Sequence, residues 1–282
     1  MKILTFDIEE WYHLLDNEST KTEKEWNGYE VRIHQNMDRI LEVLEKTNTK
    51  ATFFVVGWIA EKFPEVIKTL ADKGYDIGSH SNMHQLVYDL SPKGFEQDIE
   101  RSIKTLEDIS GKKVRIFRAP GFSITEKNKW AFEVMAKYGI EVDCSVFPAN
   151  HAHGGFPALK QSVPSMLHYN GISLKEFPIN HIDLFGEKII FSGGGYFRLF
   201  PYFLTKHWTQ QADYLMSYLH PRDFDATQPM IEGLSPARKF KSYVGLKSST
   251  KKLEQWLTDF DFIDLSTAER LVNWDEVPKI EL

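Results

Sequence analysis

Lys2-Ile3-Leu4-Thr5-Phe6-Asp7-Ile8-Glu9-Glu10 opens the chain as an apolar run ending in carboxylates, and its reading decides the fold. Lys2 to Ile8 is predicted to be a strand. Side chains alternate faces along a strand, so Asp7 and Glu9 point one way and Glu10 the other. Outward from there, strand and helix patterns alternate. Ile33, Met37, Ile40, Leu41 and Leu44 fall at helical spacing, and Ala51 to Val56 is a short apolar strand. A helix carrying Ile59, Phe63, Val66, Ile67 and Leu70 then precedes a strand ending at Ser79. Ser91-Pro92 starts a helix with Phe95, Ile99, Ile103, Leu106 and Ile109. Val114 to Arg118 is a strand, Trp130, Val134 and Tyr138 mark a helix, and a strand lies near Val142. Strands alternating with helices of this length predict βαβ units and a parallel sheet.

From Phe147 to Gly195 the pattern loosens into turns around short strands such as Ser173 to Ile179. Gly193-Gly194-Gly195 reads as a loop, and no Lys-Ser/Thr follows it to make a phosphate cradle. Tyr214 to His220 is a late strand. Leu253, Trp256, Leu257 and Phe260 define a helix, and Ser266 to Glu269 reads as a capping box opening a last one. With no repeat and no linker, the expectation is one domain: a barrel over 1–225 and an extension over 226–282 packed on it.

Of the 282 residues, 42% are hydrophobic and 26% charged, an ordinary globular composition. A net charge of −6 without a basic run argues against nucleic acid. Cys144 is the sole cysteine, so neither an internal disulfide nor a thiolate cluster can form. No window approaches the roughly 20 apolar residues of a membrane span. The N-terminus runs straight into a strand with no signal-peptide core, which makes the cytoplasm the expected compartment.

Four constellations follow predicted strands. Asp7 and Glu9 on one face repel unless a cation or proton lies between them; a solvated acidic turn is the ordinary alternative. His80-Ser81-Asn82-Met83-His84 presents two imidazoles on one side if a helical turn holds them, and imidazole is a common metal ligand. Arg118-Ala119-Pro120-Gly121-Phe122 offers a fixed guanidinium and a rigid turn. His220 closes the series in Tyr218-Leu219-His220-Pro221. Each alone could be structural. Their joint occurrence at strand ends is the signal, because parallel barrels place active sites at the C-terminal ends of their strands.

This ordered set resembles the NodB-homology polysaccharide deacetylases, carbohydrate esterase family 4. Asp7 and Glu9 approximate the family's opening acid pair, His80, Ser81 and His84 its His-Ser/Thr-x-x-His motif, and Arg118-Ala119-Pro120 its Arg-x-Pro. His220 ends a segment like its late Leu-x-His, while Asp143 with Phe147 matches a further motif in part. Wording such as Leu219-His-Pro-Arg-Asp-Phe-Asp225 is similar to a subgroup encoded with exopolysaccharide assembly genes, which carries an extra C-terminal region.

The resemblance implies a distorted (β/α) barrel and a hydrolase that removes an N-acetyl group from an amino sugar in a glycan, releasing acetate. It implies one divalent ion, with zinc expected, on Glu9, His80 and His84. Glu10 is the rival ligand, since the family's second acid adjoins its first. Asp7 is then the general base, oriented by Arg118, and His220 the general acid. Gly121 supplies an oxyanion N–H beside Phe122, and Asp143 braces Arg118 or the substrate side. An amidase acting on a small or cyclic amide and a sugar-binding pseudoenzyme are the alternatives.

Overall fold

The structure, a computed structural model, describes residues 1–149, 153–184 and 186–282. Its main sheet has eight strands in the order Lys279–Glu281, Ser165–Tyr169, Ile172–Glu176, Val142–Asp143, Ile116–Phe117, Asp76–Ser79, Thr52–Val55 and Thr5–Ile8. All neighbours are parallel except the hairpin of Ser165–Tyr169 with Ile172–Glu176. The sheet curls toward closure through the late segment. Lys2–Ile3 pairs parallel with Leu215–Met216, and bridges join Phe6 to Leu219 and Gly193 to Tyr218. Across the remaining gap the bonds come from side chains: Asn180 Oδ1 accepts from Met216 N at 3.1 Å, and Tyr214 donates to Pro178 O at 2.8 Å. The result is the distorted barrel that the alternating pattern and the resemblance implied.

Helices cover the outside. Ile33–Lys46 buries Ile33, Met37, Ile40, Leu41 and Leu44, the stripe read from the sequence. The extension is woven into this body. Leu246–Asp259 lies against Ile33–Lys46, and Lys279–Glu281 extends the main sheet.

Four local readings are corrected. The helix predicted through Ile59 and Leu70 is two, Gly57–Lys62 and Pro64–Asp72, because Pro64 lacks an N–H and its ring opposes continuation across Phe63. The last helix, Leu265–Leu271, is capped by Asp264, which accepts from Thr267 N at 2.7 Å. Glu269 is therefore not a capping-box acid; it pairs with Arg115 and Lys175. Gly193 is extended, and a helix, Gly194–Leu199, begins at the second glycine instead of a loop. A Cβ on Gly193 would lie 2.2 Å from Tyr218 O, so only glycine permits that bridge. The late strand is shorter than Tyr214 to His220, with ladder pairing at Leu215–Met216 and single bridges beyond.

Asp143 and Glu176 face each other in register on adjacent strands, both fully buried. Burial first, then the Asp143 charge and a hydrogen bond between the two carboxyls, push Glu176 well above its usual range, so it keeps its proton. Such a group favours the fold while protonated and weakens it as pH rises above the unfolded value of ~4.3. Glu176→Gln is expected to match wild-type stability near pH 4 and to exceed it increasingly toward pH 8. The gap grows by at most ~1.4 kcal/mol per pH unit. Denaturant melts at the two pH values measure it; an unchanged gap would contradict the protonated pair.

Candidate active site

The strand ends converge on a cavity of about 530 Å³ lined by Asp7, Glu9, His80, His84, Gly121, Phe122 and His220 among others. Of the residues singled out from the sequence, Arg118 and Asp143 lie behind this wall.

Asp7 leaves Thr5–Ile8 pointing into the cavity and is held from beneath. Arg118, fully buried, donates through Nη1 to Asp7 Oδ1 at 2.6 Å and to Thr5 Oγ1 at 2.8 Å. Its guanidinium lies 4.1 Å from the Phe54 ring centroid. Arg118 therefore acts through Asp7, without facing the cavity itself.

Glu9 is on the same face, as strand alternation requires. Glu10 points away: its carboxylate accepts from the backbone N–H groups of Arg32 at 2.7 Å and Ile33 at 2.8 Å, closing the start of Ile33–Lys46. Glu10 is thus a structural cap outside the cavity.

His80 and His84 come together by a route other than the helical turn considered above. Ser81 and His84 both have positive φ, 62° and 52°, in an irregular loop after Asp76–Ser79. Asp98, from the helix Pro92–Ser110, clamps that loop by accepting from Asn82 N at 2.7 Å and Met83 N at 3.0 Å. Ser81 Oγ accepts from His84 N at 3.0 Å. The two rings end with centroids 5.2 Å apart. His80 Nδ1 is 2.8 Å from Arg118 O, which as an N–H donor leaves Nε2 as a lone pair. Burial drives His80 down to about 4, so the ring is neutral at pH 7.

His84 Nε2 approaches Glu9 Oε2 at 2.7 Å, yet this buried oxygen has no hydrogen bond of acceptable direction. Burial alone would raise Glu9; the charge and contact of His84, with His220 and His80, outweigh it and hold Glu9 well below the carboxylate range. Among the described residues no three His, Cys, Asp or Glu donors stand close enough to ligate an ion as placed. The donor set nevertheless fits a divalent metal: a buried carboxylate oxygen without a satisfied hydrogen bond, and two imidazoles, His80 and His84, in the same cavity.

His220 contributes the opposite chemistry. Its Nε2 is 3.4 Å from Glu9 Oε1 and 3.9 Å from Asp7 Oδ2, and its Nδ1 is 3.2 Å from Asp223 Oδ2. Burial works to lower its pKa, but the hydrogen bond to Asp223 and the nearby carboxylates prevail and push it up to about 9. Asp223 is the partner carboxylate that the sequence left unnamed, and Arg198 Nε holds its other oxygen at 2.9 Å.

Gly121, in the left-handed region at φ 60°, lines the cavity beside Phe122, whose ring meets Tyr218 edge-on at 5.3 Å. Asp143 is corrected: it touches neither Arg118 nor the cavity by any described hydrogen bond, accepting instead from Ser145 Oγ at 2.5 Å and facing Glu176. A further histidine of the lining escaped the sequence reading. His13 is buried, its ring 5.8 Å from that of His84, and neither ring nitrogen has a hydrogen bond. Its position four residues after Glu9 was the available clue.

A barrel with paired acids and histidines around one cavity at its strand ends has the layout that the resemblance to the polysaccharide deacetylases implied. Residues 4–142 match the polysaccharide deacetylase family, and residues 144–269 match a domain of unknown function, DUF3473. The first segment of the chain is thus similar to the polysaccharide deacetylases. A peptidoglycan-N-acetylglucosamine deacetylase of Bacillus cereus is 34% identical over 96 residues, covering 34% of this chain and 35% of that protein. A chitooligosaccharide deacetylase of Azorhizobium caulinodans is 34% identical over 82 residues, 29% of this chain and 39% of that one. The chain thus spans little more than a third of the length of these curated relatives. In fold, a Mycobacterium smegmatis protein assigned to the polysaccharide deacetylases superposes with a TM-score of 0.68 at 16% identity, over 100% of this chain and 92% of that one.

The Asp98 clamp yields a direct expectation. Asp98→Ala leaves the buried Asn82 N–H and the part-buried Met83 N–H without an acceptor, at about 1–3 kcal/mol for the buried one. Denaturation should show a loss in that range or above, and hydrogen exchange should quicken at Asn82 and Met83. Unchanged exchange there would remove Asp98 from the positioning of His84.

Proposed function

We propose that this protein hydrolyses the N-acetyl group of an amino sugar within a poly- or oligosaccharide. Glu9, His80 and His84 would hold one divalent ion, zinc by the character of the donors. The observation that carries this reading is the division of one cavity. Asp7 on Arg118 and His220 on Asp223 flank the Glu9–His84 contact with opposite proton-transfer roles.

A bound divalent ion supplies Lewis-acid polarisation of the acetyl carbonyl. The protein's own residues do the rest. Asp7, fixed by Arg118, takes a proton from the attacking water as its oxygen bonds to the acetyl carbon. Gly121 N–H, beside Phe122, faces the oxygen that gains charge. His220, protonated at neutral pH, passes its proton to the sugar nitrogen as the C–N bond breaks, because an amide nitrogen leaves poorly as an anion. Asp223 and Arg198 hold the ring in place. The products are acetate and a free amino sugar. The extra C-terminal region is in keeping with the exopolysaccharide-associated subgroup.

Chelation of the purified protein should abolish acetate release from N-acetylated oligosaccharides, and zinc should restore it. Glu9→Gln should bind little metal by elemental analysis. Glu10→Gln should keep its metal and lose helix stability instead. A fully stripped protein that retains its rate would end the metal hypothesis.

Asp7→Asn and His220→Ala should each lose about a hundredfold or more on the amide while keeping metal. On an activated acetate ester, whose phenolate leaves without protonation, His220→Ala should recover much of its relative rate. Asp7→Asn should stay impaired, since water must still be deprotonated. The ester must first be shown to react in this cavity by loss of its hydrolysis on chelation. Equal impairment of both variants on both substrates would reverse the role assignment.

A further inference from the structure

The proposed chemistry accounts for the carboxylates and histidines of the cavity but leaves three of its cations unexplained. Arg198, Arg222, Arg238 and Lys241 line the cavity with the acids Asp7, Glu9 and Asp223, four cations against three anions. The chain as a whole is at −6. Each acid is already engaged: Asp7 with Arg118, Glu9 with His84 and His220, Asp223 with His220 and Arg198. Arg198 is therefore accounted for, and the remaining three cations are not.

Arg222 is the sharpest case. It is 6% exposed, its Nη2 is buried without a hydrogen-bond partner, and no carboxylate pairs with it among the described residues. The Tyr243 ring lies 5.9 Å from its guanidinium carbon, and the charges of Asp223 and Glu9 reach it without forming an ion pair. Residues 150–152 and 185 are Asn, His, Ala and Phe, so no acid lies outside the described set. A buried guanidinium without a carboxylate in ion-pair contact is costly, and the other buried arginines here, Arg32, Arg118 and Arg198, each have one. Arg238 spends its guanidinium on backbone carbonyls of Leu15 and Asp16, which carry no net charge, and exposed Lys241 has no ion pair among the described residues.

We infer that Arg222, with Lys241 and Arg238 on the same cavity wall, receives an oxyanion of the glycan: a carboxylate or phosphate on or next to the N-acetylated sugar. This rests on the deacetylase reading of the cavity and names its substrate class. A guanidinium fork matches either anion in two parallel hydrogen bonds, which a neutral hydroxyl cannot equal. Phe240, 57% exposed, adds an aromatic surface to the same wall on which a sugar ring can rest. All four residues belong to the segment beyond 144 that the relatives' shared deacetylase region does not include. The added segment thereby selects which glycan enters.

Calorimetric titration of the full-length, metal-loaded protein tests this with three probes. These are a disaccharide of glucuronic acid and N-acetylglucosamine, N-acetylglucosamine 1-phosphate, and neutral di-N-acetylchitobiose. One anionic probe should bind at least tenfold more tightly than the neutral one, and which one identifies carboxylate or phosphate as the source. Arg222→Gln should erase that preference while shifting neutral binding less than twofold, and Lys241→Ala should reduce it in part. Arg222→Gln should melt at or above the wild-type temperature, since it removes an unpaired buried charge, so a folding defect would be visible. Equal affinity for anionic and neutral probes, or an anion preference that survives Arg222→Gln and so belongs to the metal, would overturn the inference. Acetate release is measured in parallel on the same probes, so a failure of deacetylation would show separately, as absent release with the anion preference intact.

Discussion

The Arg118–Asp7 ion pair is the constraint on which the site depends. A guanidinium with no exposure is costly inside a barrel without an anion in contact, and Asp7 is that anion. The pair fixes Asp7 at the end of Thr5–Ile8. Strand alternation then fixes Glu9 two residues on, and Arg118 O fixes the His80 ring. Removing either charge would strand the other, so the acid that faces the cavity and the base of the barrel are one unit. His84 joins this unit through Glu9, and its own placement depends on the Asp98 clamp from a neighbouring helix.

A second tether brings the later chain to the same point. His220 leans on Asp223, Asp223 on Arg198, and Arg198 on the backbone carbonyls of Lys241, Ser242 and Val244. The region after the barrel motifs is therefore part of the cavity wall, and the orientation of His220 depends on it. The match over 4–142 covers Asp7, Glu9, His80, His84 and Arg118, whereas His220 lies in the segment 144–269 that matches DUF3473.

Much of this was legible in the sequence where a residue's direction follows from local geometry. The period-two strand put Asp7 and Glu9 together and sent Glu10 away, where it caps a helix. The helical stripe from Ile33 to Leu44 faces the core as its spacing requires. What escaped depends on chain reversals and distant partners. The positive-φ loop that joins His80 to His84 has no helical signature, and its clamp, Asp98, sits on another element. Asp223 lies three residues after His220 but was hidden because their contact follows a short turn, Pro221–Phe224, that the strand reading did not include. Asp143 was misplaced because a strand-end acid can face a neighbouring strand instead of the cavity. His13 follows the turn at Trp11 and Tyr12, across which strand alternation no longer predicts direction.

Anomalous diffraction at the zinc edge from crystals of the zinc-loaded protein tests the central claim most directly. The account predicts one strong peak within ~2.0–2.2 Å of a Glu9 carboxylate oxygen, His80 Nε2 and His84 Nε2, with Glu10 remote from it. A cavity without a peak, or an ion held by residues that exclude Glu9, would contradict it.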